Sequence, residues 1–455
     1  MRYLFVTGKL AEPALRRVLA ELAPKAGWDY EVAVLNISVA ALMTPDWIAR
    51  HLQPPEHIDR IMIPGWCDGD LTPLLQKTKV PVEVGPKDLI DLPSYFGQKR
   101  QVSLDRYHIE ILAEINYAPR LTREELLAEA QRLRREGADI IDLGCEPGST
   151  WTTIGDAVKC LRDAGLRVSV DSFNVQEISD AVRAGAELVL SVHSSNIEAA
   201  PDWGSEVVLI PDVPANLEGL DRNIEWLASR EVPFRVDPIL EPIGSGFAAS
   251  LGRYLEVRRR YPEVKMLMGV GNLTELSEVD SAGINLLLAG FCEELNITSV
   301  LTTQVANWCR TCVRELDLAR RLVCYAVEQR VPPKNLDSRL VMLRDRRLRR
   351  YGSQLLQEWA RQIRDRNFRI FAEDDQLHVI SGRGYWRDQD PFRIIREILR
   401  QENLEPDHAF YLGYEMAKAV TALTLGKNYV QDEALSWGLL TRPEKSHGSD
   451  QEESR

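Results

Sequence analysis

Acids and amides recur where apolar runs end in the middle of this chain. Asn116 follows HIEILAEI, Asp142, Cys145 and Glu146 surround the end of ADIIDLG, and Asp171, Ser172 and Asn174 follow LRVSV. His193 and Asn196 come after AELVLSV, Asp212 after SEVVLIP, Asp237 after VPFRV, and Asn272 after VKMLMGVG. Few lysines or arginines stand among them. Such a set suits a neutral or partly cationic heterocycle that offers N–H donors. A carboxylate accepts two parallel N–H bonds from an amidine-like edge, the bidentate geometry that strengthens charged hydrogen bonds. Caps of strands and helices use the same residue types, so no single aspartate decides the matter. The recurrence does.

Something must gather these residues at one place. From Tyr107 the chain alternates eight strand-like runs with helical stretches such as LTREELLAEAQRLRRE, which Thr122 caps and Gly137 stops. Eight strand–helix units in about 225 residues have the size and rhythm of a (β/α)8 barrel. Most of the strands are nearly continuous apolar runs, as expected where helices cover the sheet. An open doubly wound sheet is the competing arrangement. In a barrel, the residues after each strand converge on one mouth.

Two further regions flank the 105–330 barrel. Residues 1–100 alternate strands (YLFVTG, EVAVLNI, IDRIMIPG, VPVEVG) with helices, one of them capped by Thr44 and opened by Pro45. The alternation predicts a small parallel α/β domain, and 92–106 is polar and turn-rich, as in a linker. Pro332 and Pro333 break the last barrel helix and open a C-terminal α+β extension over 335–443. It contains a basic helical stretch over 338–367, whose arginines at 344–350 belong on a solvated face. A hairpin turning near Glu373–Gln376 and two more helices follow, and 444–455 is a charged tail expected to be disordered.

Composition narrows the partners. Over 455 residues the chain is 44% hydrophobic and 27% charged, with a net charge of −12. The acidic balance argues against nucleic acid, since a phosphate-binding surface needs a basic excess. No apolar run approaches the roughly 20 residues of a membrane span, and the N-terminus lacks a signal-peptide core. Seven scattered cysteines point to reduced thiols and a cytoplasmic protein. Cys309 and Cys312 form the one C-x-x-C pair; without a second pair or a nearby histidine they read as packed thiols, and no metal site is predicted.

The ordered segments EINYAP, GADIIDLGCEPGST, VSVDSFN, AGAELVLS and VDP…GSGF resemble the strand-end motifs of dihydropteroate synthases and their pterin-binding relatives. The resemblance runs from about Ile109 to Phe247, and more loosely to Leu322. It implies a pterin-binding barrel, with the pterin 2-amino/N3 edge as the N–H donor. Asp171 and Asp237 match the acids that hold the ring, Asp142 the acid ending the second strand, and Asn116 the asparagine near the reacting carbon. Asn196 lies close to the family's fourth-strand asparagine, whose own place is taken by Leu190.

Departures touch the family's cations. CEPGST has no arginine, GVGNLT replaces a lysine-bearing motif, and Arg310 in WCRTCVRE is at best a loose substitute for the closing one. The EIN, VDS and GVGN segments are also similar to methyltetrahydrofolate:corrinoid methyltransferases, where Asn272 would meet the pterin N5 as a methyl leaves. Over its whole length the chain is most similar to dihydropteroate synthase-related proteins of archaea and tetrahydromethanopterin-using bacteria, which share DHAFYLGYEMAKA (Asp407–Ala419). The resemblance implies a transferase on a pterin in folate- or tetrahydromethanopterin-type metabolism. The alternatives are a methyl-pterin:corrinoid-type methyltransferase or a pterin binder without catalysis. No cofactor is firmly implied; magnesium, a corrinoid and a homodimer stay open.

In the extension, His408, Glu415 and Lys418 share one helical face by spacing. A docking helix with solvent-facing charges is the simpler expectation there.

Overall fold

A computed structural model describes residues 1–444 except 68, 79, 99–101 and 402. The expected tail over 444–455 lies outside the described residues apart from Glu444. Two compact units emerge, one of residues 1–105 with 329–336 and one of 106–328 with 337–455. Among the described residues no helix is long and apolar enough to cross a membrane.

The first unit carries a parallel sheet of β1 (Arg2–Gly8), β2 (Asp29–Leu35), β3 (Arg60–Ile63) and β4 (Val82–Val84), in the order β2-β1-β3-β4. Alternate side chains of β1 face opposite layers. Leu4 and Val6 pack toward the helix Pro45–His51, while Tyr3 and Phe5 pack toward the helix Glu12–Ala26. Thr44 caps the Pro45 helix as its position foretold, accepting the Trp47 N–H at 3.2 Å. The 92–106 stretch is not linker throughout, because Leu92–Tyr95 forms a helical turn with Leu92 buried in the core. Residues Gln329 and Arg330, expected to end the barrel, belong to this unit, where the Arg17 guanidinium takes both of their carbonyls.

The barrel is closed and all-parallel. Its strands are β5 (Glu110–Ile115), β6 (Ile140–Gly144), β7 (Arg167–Asp171), β8 (Leu188–Val192), β9 (Glu206–Leu209), β10 (Phe234–Val236), β11 (Lys265–Gly269) and β12 (Ser299–Thr302). Each strand takes its neighbour in sequence, and β12 closes on β5. This settles the choice against an open sheet. Most helices fall where periodicity put them. Periodicity predicts one helix over 275–295, and two elements form there: a short turn through Ser277, then a helix from Ser281 to Glu294. It predicts the last barrel helix from Val305 to Gln329, and that helix begins at Cys312.

Period-two alternation sends every second strand residue into the barrel, where they stack in layers. At the strand starts, Arg235 bonds Glu110 at 2.9 Å and Glu206 at 2.8 Å, and Arg167 bonds Glu110 at 2.7 Å. Above them Leu112, Ile140, Leu188, Val208 and Leu267 form an apolar plug. Acids follow at the top.

The extension is an antiparallel sheet of β13 (Arg369–Glu373), β14 (Gln376–Ser381) and β15 (Gly384–Asp388), packed on the helices Pro391–Gln401 and Pro406–Leu425. The hairpin turn at Asp374 and Asp375 is where the sequence put it. The long basic helix is not: only Ser353–Gln362 is helical. Upstream, the backbone bonds to other elements instead of to itself. Glu373 accepts the Tyr351 and Gly352 N–H groups at 2.8 and 2.9 Å, and Asn428 accepts that of Arg349 at 2.7 Å. The arginines of 344–350 therefore sit on an irregular segment.

The charges of the last long helix are not solvent-facing either. Glu415 and Lys418 are buried and paired at 2.8 Å, with the Tyr429 hydroxyl donating to Glu415 at 2.6 Å. His408 stands apart from them, against Phe368 and Tyr411.

Candidate functional site

Three carboxyl groups meet at the mouth because of strand register. Glu114 on β5 lies opposite Asp142 on β6, Asp142 opposite Ser169 on β7, and Gly144 opposite Asp171. All four polar positions share the inward parity of Leu112. Gly144 makes room for Glu114, since a side-chain carbon there would lie 2.6 Å from its Oε1.

Asp142 is fully buried. The Ser169 hydroxyl donates to its Oδ1 at 2.6 Å, while Oδ2 has no partner. Burial, then the neighbouring charges of Asp171 and Glu114, push its carboxyl well above the usual range. Asp171, at the open end, accepts the Ser191 hydroxyl at 2.6 Å, and burial raises it too. Glu114 is pushed up to about 7, by burial first and then by the charges of Asp171 and Glu275. Within the cluster, Glu114 therefore titrates near neutrality.

On the opposite wall, Asp237 follows β10. It accepts the Tyr254 hydroxyl at 2.5 Å and the Ile239 N–H at 2.8 Å. Burial raises its carboxyl to about 6 despite these bonds. A side-chain carbon on Gly269 would lie 3.8 Å from Asp237 Oδ2 and 3.6 Å from Asn272 Nδ2, so the two side chains flank one bare patch of backbone. Asn272 also donates to the Leu240 carbonyl at 2.9 Å. Thr303 links the walls: its hydroxyl bonds Asn116 Oδ1, and its methyl lies beside the Cα of Gly271. Asn116 donates in turn to Glu114 at 3.0 Å.

Five of the six residues singled out from sequence thus line or underlie one mouth: Asn116, Asp142, Asp171, Asp237 and Asn272. Asn196 is buried below its loop, where Oδ1 accepts the His193 N–H at 2.9 Å and Nδ2 reaches the Ser191 carbonyl at 3.4 Å. It holds the loop that carries Ser191. Other rim residues shape loops as well: Asn174 caps the helix Val175–Arg183, and Asp212 binds Ser194 through its N–H and hydroxyl at 2.9 and 2.6 Å.

Sequence reasoning passed over Glu114. Its signal was available, as an acid two residues after Leu112, near the end of a mostly apolar strand. Cys309 and Cys312 are buried thiols, with Cys312 pushed up to about 11 by burial.

Three arginines of the mouth loops have carboxylate partners, whereas Arg310, exposed in the loop after β12, has none among the described residues. Arg120 pairs with Glu146, Arg222 with Asp212 at 3.4 Å, and Arg253 with Glu241 at 2.6 Å. Among the described residues, the group of three potential ligands within 4.8 Å of one another is His108, Glu293 and Cys324, and it includes none of the mouth acids.

Residues 119–209 match the family described as Pterin binding enzyme. The barrel is of the pterin-binding type. Residues 1–87 match the Family of unknown function (DUF6513), and 365–432 match PterinBD-DUF4346. The chain is 28% identical to an uncharacterized protein of Methanocaldococcus jannaschii, over 95% of its own length and 98% of that protein's. Among solved structures, the pterin-binding barrel is similar to dihydropteroate synthase of Yersinia pestis with a pterin–sulfa conjugate. That match has 19% identity and a TM-score of 0.39, and covers 50% of this chain and 96% of the other. The enzyme of Thermus thermophilus is similar at 20% identity and a TM-score of 0.38, over 51% and 96%.

Proposed function

We infer that the protein is a transferase acting on a reduced pterin in one-carbon or pterin-cofactor metabolism of the cytoplasm. The observation that carries this is the buried carboxyl cluster of Glu114, Asp142 and Asp171, gathered by strand register and facing Asp237 and Asn272 across one mouth. An amidine-like ring edge on Asp171 or Asp237 makes two charge-assisted bonds. The other edge of the ring then meets Asn116 and Asn272.

The pairing of Arg120, Arg222 and Arg253, which leaves Arg310 alone of these four without a carboxylate partner, favours one kind of transfer. A leaving diphosphate needs free cations, and uncompensated anionic charge in a dry site is costly. Transfer of a methyl group from ring nitrogen needs none. The bond from nitrogen to methyl breaks toward a nucleophilic acceptor, and the nitrogen takes a proton. Glu114, protonated up to about pH 7, is the reservoir for that proton. A corrinoid acceptor does not fit a ligand role for His408, which lies in the first turn of a helix rather than in a loop before it. The acceptor therefore comes from outside this chain.

The test incubates the protein with hydroxymethyl-dihydropterin diphosphate and p-aminobenzoate, and separately with methyl-tetrahydropterin and cob(I)alamin, reading products by mass. Methyl transfer supports the reading. Aminobenzoate addition with release of diphosphate refutes the methyl-transfer form, and pterin binding without either turnover refutes the transferase.

A further inference from the structure

The β2-β1-β3-β4 order reverses direction between β1 and β3, and in open parallel sheets ligands bind outside the strand ends at such a point. A cavity of about 410 Å³ opens there, between Thr7 at the end of β1 and the Pro64–Trp66 loop after β3. Its size lies within the roughly 300–1,000 Å³ of small-molecule sites. Phe5, Leu15 and Met62 make its floor apolar.

Two side chains at the rim indicate what it takes. Trp66 is 52% exposed, a large aromatic side chain at the opening. The Lys87 ammonium lies 4.4 Å from the centre of that ring, and no carboxylate partners it among the described residues. Backbone holds the pair together. A side-chain carbon on Gly65 would come within 2.4 Å of Gly85 and Pro86, so the loops after β3 and β4 touch at a position that admits glycine alone.

The loop after β1 offers no backbone cradle for a nucleotide phosphate. The N–H groups of Lys9, Leu10 and Ala11 already bond the carbonyls of Ile37, Ser38 and Gly8, and Glu12 opens the following helix with a negative charge. We propose that this cavity binds a small, flat, largely apolar molecule bearing one anionic group, its ring against Trp66 and its anion at Lys87. The site lies in the first unit and is independent of the barrel chemistry.

The test titrates the full-length protein with anilinonaphthalene sulfonate, a flat apolar probe with one anion, and with its uncharged parent phenylnaphthylamine, following probe fluorescence. The wild type is expected to bind both saturably. Trp66→Ala should weaken both about tenfold through lost ring contact, and Ala41→Trp, a plug at an exposed rim position, should abolish binding. Lys87→Ala should weaken the sulfonate about fivefold, as for an exposed ion pair, and leave the parent unchanged. Absence of saturable binding, or binding untouched by both Trp66→Ala and Ala41→Trp, overturns the site. Equal effects of Lys87→Ala on the two probes overturn the anionic part. Should Trp66→Ala fail to fold, the exposed Ala41 and Lys87 substitutions still decide.

Discussion

Replacing Glu114 with glutamine tests the buried carboxyl cluster through stability alone, with no substrate required. In the unfolded chain this carboxyl titrates near 4.5, and in the folded barrel near 7. Between those values the unfolded state loses its proton while the folded state keeps it. The unfolded state then binds fewer protons, so folding stability falls as pH rises through the window and levels off above it. The displacement corresponds to at most about 3 kcal/mol lost by pH 8 and nothing lost below pH 4.5. Glutamine does not titrate, and its Oε1 can still accept from Asn116. Glu114→Gln should therefore match the wild type at pH 4.5 and exceed it by up to about 3 kcal/mol at pH 8. For a unit of this size that is a rise in Tm of roughly 4 °C. Thermal unfolding of both proteins at the two pH values reads it directly. An equal difference at both, or a variant less stable at pH 8, would refute the raised carboxyl and with it the proton reservoir of the mouth.

Other outcomes follow from the same geometry. Asp171→Asn and Asp237→Asn should each weaken binding of a reduced pterin tenfold or more, about 1.5–3 kcal/mol for a charged hydrogen bond, by equilibrium dialysis; unchanged affinity in both would remove them from the site. Tyr254→Phe takes away a hydroxyl that holds the Asp237 carboxyl down, so any pterin-binding transition near pH 6 should move upward in a pH series of dissociation constants. Arg235→Met removes one of two cations from each of Glu110 and Glu206, which keep Arg167 and Lys265, at the far end of the barrel. It should cost about 1.5–3 kcal/mol in urea unfolding, as for charged hydrogen bonds, while leaving pterin affinity alone.

Local signals carried far in the barrel. Its strands declare themselves as apolar runs, its helices by period and caps such as Thr122 and Gly137, and the sum of eight units by length. The polar positions after the strands were legible for the same reason: a barrel assigns function to the ends of strands whatever the sequence between them. The extension was harder to read. Its basic stretch over 338–352 has leucines at helical spacing, and periodicity cannot report that Glu373 and Asn428 capture that backbone from afar. Glu415 and Lys418 misled in a similar way, because a charged helix face reads as solvated until a neighbouring tyrosine and glutamate bury it.

By itself the sequence determined the order of elements, the class of fold and the residue types available at the mouth, since these depend on neighbours within a few positions. Only the tertiary structure decided which of those side chains shift one another's titration and which hold a loop. Glu114, Asp142 and Asp171 are 28 and 29 residues apart along the chain, and their mutual influence exists only through the register of β5, β6 and β7. Asn196, with the same credentials in sequence, turned inward to bond its own backbone. Electrostatic coupling and desolvation act through space, and space is what folding supplies.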